Sequence, residues 1–105
     1  MDNYAKKITF FSFLMPSITA GEKTITIRDE TERNYEPGSV VGVFTLETDR
    51  KVCDIRIESV EPLRFEDIGE FHARQESMEL GELKRLIREI YPDTDSLYMI
   101  SFNKV

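Results

Sequence analysis

Polar and apolar residues alternate between positions 24 and 28. An extended strand there puts Thr24, Thr26 and Arg28 on one face and Ile25 and Ile27 on the other, with the isoleucines toward a core. Gly21 makes the preceding turn flexible. Lys23 has the wrong parity to share a regular strand face with Thr26, so it belongs to that turn or to a bulge, its long stem curling back over Thr26. Further strands are expected at residues 8–13, rich in phenylalanine and β-branched residues, at 40–46, at 52–60 and at 97–102. Within 52–60, strict alternation groups Val52, Asp54, Arg56, Glu58 and Val60 on one face. Ile55 and Ile57 mark the buried face and take Cys53 with them.

Three segments carry helical spacing. Pro16 can open a short helix through Ala20 that Gly21 ends. Over residues 65–75, Phe65, Ile68, Phe71 and Gln75 lie near one stripe, with Glu76 at the end and Ser77 placed to cap the next helix. In that next helix Leu80, Leu83, Ile87 and Ile90 follow the apolar period, charges fill the other faces, and Pro92 sets the stop. Residues 29–38 have the composition of a surface loop ending in Pro37-Gly38, and a loop leaving the first strand described is a candidate pocket wall. About five or six strands with two or three helices read as an α+β domain, taken as one domain over residues 1–105.

Charge narrows the function classes. With 14 basic and 20 acidic residues the net charge is −6, so the average surface repels polyanions and tight binding of a long nucleic acid is not expected. A neutral nucleoside meets no such repulsion. The single cysteine, Cys53, excludes an internal disulfide and fits a reducing cytoplasm. With one histidine, His72, and no paired ligand motif, no metal or other cofactor is expected. The apolar run after Lys6-Lys7 is short and broken by Ser12 and Pro16, so it is read as a strand rather than an export signal. No run approaches the length of a membrane span. The oligomeric state is not written in the chain.

Gly21, Lys23, Thr26 and Arg28 together form the pattern Gly-x-Lys-x-x-Thr-x-Arg, which resembles the signature of ASCH domains, small β-barrels related to the PUA RNA-binding fold. The resemblance extends through Ile8-Thr9-Phe10-Phe11, Arg28-Asp29-Glu30, His72-Ala73-Arg74-Gln75-Glu76, Glu82-Leu83-Lys84 and Ile90-Tyr91-Pro92 to the small bacterial ASCH proteins that hydrolyse N4-acetylcytidine. It implies a PUA-like barrel, a small-molecule nucleoside substrate, and a catalytic set matching Lys23, Thr26 and Glu76. Arg28 and Asp29 are the substrate-binding expectations, with Asp29 as a support for Arg28. Tyr91 is read as a core residue whose hydroxyl needs a partner, and His72 as either a half-exposed helical histidine or a base.

Amide hydrolysis needs an activated nucleophile, a donor for the developing oxyanion and a proton for the leaving nitrogen. Thr26 serves as nucleophile if Lys23 is kept neutral. Burial and Arg28 favour the neutral amine, while an anionic Glu76 opposes it, and Arg28 is expected to help fix that carboxylate. The rival route gives the attack to a water activated by Glu76. Neither Lys23 nor Thr26 is expected to fill the core. The alternative from another class is a PUA-like module that binds RNA or modified nucleosides without catalysis.

Overall fold

A computed structural model describes residues 4–105. Five strands, β1 (Lys7–Phe10), β2 (Ile25–Arg28), β3 (Val40–Thr45), β4 (Lys51–Arg64) and β5 (Ser96–Lys104), form one mixed sheet in the order β1-β3-β4-β5-β2. Three helices accompany it: α1 (Met15–Thr19), α2 (Glu70–Gln75) and α3 (Leu80–Ile90). β1 runs parallel to β3, and the other ladders are antiparallel. This is the expected α+β architecture. The edge strands β1 and β2 lie close enough for Arg28 of β2 to donate to the Thr9 carbonyl of β1 at 2.7 Å. The sheet therefore curls into a barrel-like shape whose last seam is crossed by a side chain instead of a backbone ladder.

Two apolar clusters hold the chain together. One contains Ile8, Phe10, Val43, Ile55, Ile57, Ile100 and Phe102. The other packs Ile27 and Leu97 against Ala73, Leu83, Ile87 and Tyr91 of the helical layer. Alternation along the strands assigns them to opposite faces of the sheet. Both faces of β2 are covered, so Ile25, Thr26 and Ile27 are all buried.

Several expectations shift for identifiable reasons. β1 stops at Phe10, because the Ser12 amide and hydroxyl both donate to Glu47 and the chain turns into a short 3-10 segment, Ser12–Leu14. β4 runs on to Arg64, and its register against β5 slips between Ile57 and Ser59. That bulge inverts the parity, so Val60, grouped with the charged face by strict alternation, packs against the first core cluster. Cys53 is half-buried beside that same cluster.

The helical stretch from 65 to 75 is two pieces. A 3-10 turn, Phe65–Asp67, ends at Ile68 in extended backbone, and α2 begins after Gly69. Phe71 is consequently 53% exposed, and Ala73 supplies the buried contact. Ser77 does not cap α3; it takes a left-handed conformation, φ 57°, just past α2. α1, α3 and the stop at Tyr91 follow the sequence reading.

Candidate active site

Gly21, at φ 77°, ends the turn after α1, and the Glu22 and Lys23 amides both donate to the Ser17 carbonyl. The chain is thereby folded back so that Lys23 lies just outside β2 and sends its side chain inward. At 2% exposure, Lys23 is among the largest fully buried side chains. The expectation that Lys23 and Thr26 leave the core unfilled is corrected: both faces of the edge strand β2 are covered, and both side chains are buried. Lys23 Nζ donates to the Ile25 carbonyl at 2.8 Å and pairs with Glu76. Its ring neighbour is Phe10, at 5.5 Å from the centroid. Burial holds the amine well below its ordinary pKa, and the Arg28 guanidinium adds to the effect.

Glu76 is fixed by the way α2 ends. The Ser77 amide donates to the Arg74 carbonyl and the Met78 amide to the Ala73 carbonyl, the paired bonds of a Schellman motif with Glu76 as its cap residue. The entry to β2 is tied to the same place. Thr24 donates its amide to the Gln75 carbonyl at 2.9 Å and its hydroxyl to the Gln75 side chain. Two segments remote in sequence thus bring Glu76, 4% exposed, against Lys23.

Thr26 is 5% exposed, and its Oγ1 accepts from Arg28 Nε at 2.9 Å. Arg28 also donates from Nη2 to Thr9 and from Nη1 to Glu32 at 3.2 Å, with its guanidinium 4.9 Å from the Phe10 centroid. The carboxylate that Arg28 engages is therefore Glu32, not Glu76. Glu32 closes a 3-10 turn, Glu30–Glu32, whose cap is Asp29: its carboxylate accepts from the Thr31 amide and hydroxyl. Tyr91, at the end of α3, donates to Glu32 Oε2 at 2.6 Å, and burial together with Glu32 raises its pKa.

A cavity of about 230 Å³ lies along the seam between β1 and β2. Thr9, Phe10 and Phe11 form one wall, Leu83, Leu86, Ile87, Ile90 and Tyr91 of the α3 side form the other, and Lys23, Thr26, Arg28 and Glu76 meet in it. Its ionisable lining is balanced, since Glu32 pairs with Arg28 and Glu76 with Lys23. Mostly apolar walls with a few convergent polar groups suit a small uncharged ligand. No group of three or more His, Cys, Asp or Glu side chains that could hold a metal occurs among the described residues.

Of the residues singled out from the sequence, Lys23, Thr26, Arg28 and Glu76 converge. Asp29 lies outside the cavity lining and acts on it through the turn that carries Glu32. The 29–38 loop does supply a wall, through Glu32. Glu32 itself was not foreseen, because nothing in the composition of the 29–38 loop marks one of its acids for Arg28. His72 accepts from the Gly69 amide at 3.0 Å through Nδ1, so it caps α2 and does not line the cavity.

The ASCH domain family model matches residues 6–105. The chain belongs to the ASCH domain family. Among ASCH relatives, a Vibrio campbellii protein named N(4)-acetylcytidine amidohydrolase is 63% identical over 105 residues, covering 100% of this chain and 99% of its own. A Vibrio atlanticus protein of the same name is 55% identical over 98 residues, covering 93% and 94%. The ASCH domain crystal structure from Lactobacillus crispatus superposes with a TM-score of 0.76 at 16% identity, over 96% of this chain and 80% of that one. That likeness bears on the ASCH fold alone.

Proposed function

We propose that this ASCH domain, acting as a single unit, hydrolyses N4-acetylcytidine to cytidine and acetate. The observation that carries the reading is the near end-to-end identity with relatives that bear that name. The cavity supports it, because a lysine kept from protonation by burial stands in the same small pocket as a buried threonine hydroxyl. The balanced lining fits an uncharged nucleoside, and the net charge of −6 disfavours the alternative of a non-catalytic RNA-binding module. Among the described residues no helix is long and apolar enough to cross a membrane; a reducing cytoplasm is the proposed setting for the single cysteine.

In the proposed mechanism Lys23 Nζ leaves the Ile25 carbonyl and takes the proton of Thr26 Oγ1, which attacks the acetyl carbonyl carbon. The tetrahedral intermediate expels the exocyclic nitrogen of cytosine, and that nitrogen recovers a proton from Lys23 or Glu76. Ring delocalisation makes it a better leaving group than an alkylamine. Water then cleaves the acetyl-Thr26 ester, returning the hydroxyl and releasing acetate. Arg28, donating to Thr26 Oγ1, stabilises the oxygen as it gains negative charge.

A second route is favoured by the fact that Lys23 bonds to Ile25 and Glu76 while Thr26 bonds to Arg28. There the Lys23–Glu76 pair activates a water, and Thr26 with Arg28 polarises the carbonyl. Chromatography of N4-acetylcytidine incubated with the protein tests the activity, with cytidine release expected; its absence at high enzyme concentration rejects it. Rapid quench followed by peptide mass measurement separates the routes. Acetyl on Thr26 supports the first, and single-turnover release with no adduct supports the second.

A further inference from the structure

Arg28 is held at three points, and only one is the threonine. Nε meets Thr26 Oγ1 at 2.9 Å, Nη2 reaches across the open seam to Thr9, and Nη1 meets Glu32. Glu32 is itself held on both oxygens, by Arg28 on Oε1 and by the Tyr91 hydroxyl on Oε2. This chain joins three separate parts of the fold: the end of β2, the turn after it and the end of α3. An arginine side chain has several rotatable bonds, and of its three contacts the one to Glu32 is the charged one that fixes its azimuth. Resting on the proposed amidohydrolase reading, we propose that Glu32 and Tyr91 are positioning residues, which aim the Arg28 guanidinium at Thr26 and set the charge felt by the Lys23–Glu76 pair.

Two ionisable groups act on Lys23 directly. Glu76 contacts it from the end of α2, and Arg28 acts on it from β2. Behind Arg28 stand Glu32 and, on the barrel side, Tyr35, whose pKa is raised by burial and which also feels Arg28 and Glu32. α3 contributes Tyr91, whose pKa is raised by burial and Glu32, and β1 contributes only the non-ionisable Thr9 and Phe10, with Phe11 just beyond it. Glu32 therefore offsets part of the positive field of Arg28 at the pair. Removing its charge makes adding a proton to the pair harder, so the acid limb of the pH profile moves to lower pH. Tyr91→Phe keeps every charge and removes one hydroxyl, so the limb stays while Arg28 loses its fixed aim.

The test measures kcat, KM and the pH dependence of kcat/KM on N4-acetylcytidine for wild type, Glu32→Gln, Glu32→Asp and Tyr91→Phe, with thermal melts to establish folding. Expected are kcat losses of about 10- to 100-fold in Glu32→Gln and Tyr91→Phe with little change in KM. The acid limb is expected to move down in Glu32→Gln alone, with Glu32→Asp keeping it in place. A second readout needs no turnover: the Arg28 Nε–H resonance exchanges slowly with solvent in wild type and faster in Tyr91→Phe, a near-isosteric variant. An inactive wild type overturns the amidohydrolase reading and this inference with it. An active wild type whose variants keep kcat, or a Glu32→Gln limb that does not move, overturns the positioning role alone.

Discussion

Replacing Glu76 with glutamine isolates the titration of Lys23. In the wild type Glu76 pairs with Lys23, so the two titrate as a coupled unit. In Glu76→Gln the amine stands alone, buried and facing Arg28, and stays below its ordinary value of 10.5. The unfolded chain still protonates this lysine up to that ordinary value. More protons are bound in the unfolded state, so stability rises with pH across the window between the lowered folded value and 10.5. One full proton is worth about 1.4 kcal/mol per pH unit, so the variant gains stability with each unit of pH inside that window. Urea unfolding of both proteins at intervals from neutral pH to about pH 10 reads the difference, in which the titration of shared groups cancels. A variant whose stability does not rise with pH toward 10.5 would show a lysine that keeps its charge on burial, and would refute the neutral-amine account.

Three further outcomes are expected. Ser77→Gly should raise stability by roughly 0.5 to 1 kcal/mol, a few degrees in Tm, because the left-handed cap at φ 57° strains a residue with a Cβ; a lower Tm would contradict this. Ile27→Ala should cost roughly 2 to 5 kcal/mol in urea unfolding, since Ile27 is buried against Leu83 and Ile87. Hydrolysis should be insensitive to a chelator, because the two cavity carboxylates, Glu32 and Glu76, are already engaged by Arg28, Tyr91 and Lys23; a loss restored by added metal would contradict it.

The parts of the fold legible in the sequence were those in which one element repeats its own period. β2 and α3 announce themselves by alternation and by the i, i+3, i+7 stripe, β3 and the closing strand by runs of β-branched and aromatic residues. The bulge at Glu58 did not, because one inserted residue changes parity without changing composition, and Val60 consequently changed sides. Gly69 broke a helical stripe that apolar spacing alone had joined, and Ser77 took a backbone conformation that residue preference assigns to glycine.

The site divides in the same way. Lys23, Thr26 and Arg28 lie within six residues and carry a motif, so they could be named together. Glu76 rested on the family resemblance, since a glutamate before a helix is ordinarily solvated; its burial comes from the α2 cap and the Thr24–Gln75 bonds. Glu32 and Tyr91 meet only once the sheet has curled. Asp29, next to the motif, proved to cap a turn, because the chain turns away from the cavity at that residue.

The most direct measurement is the kcat/KM for cytidine release from N4-acetylcytidine by Lys23→Met beside the wild type. Methionine keeps most of the buried stem and removes the amine, and a thermal melt establishes that the variant folds. The expected result is a folded variant whose activity falls by at least about 100-fold, the scale of a removed general base. A folded Lys23→Met protein that hydrolyses the substrate at the wild-type rate would contradict the assignment of Lys23 as the group that moves the proton.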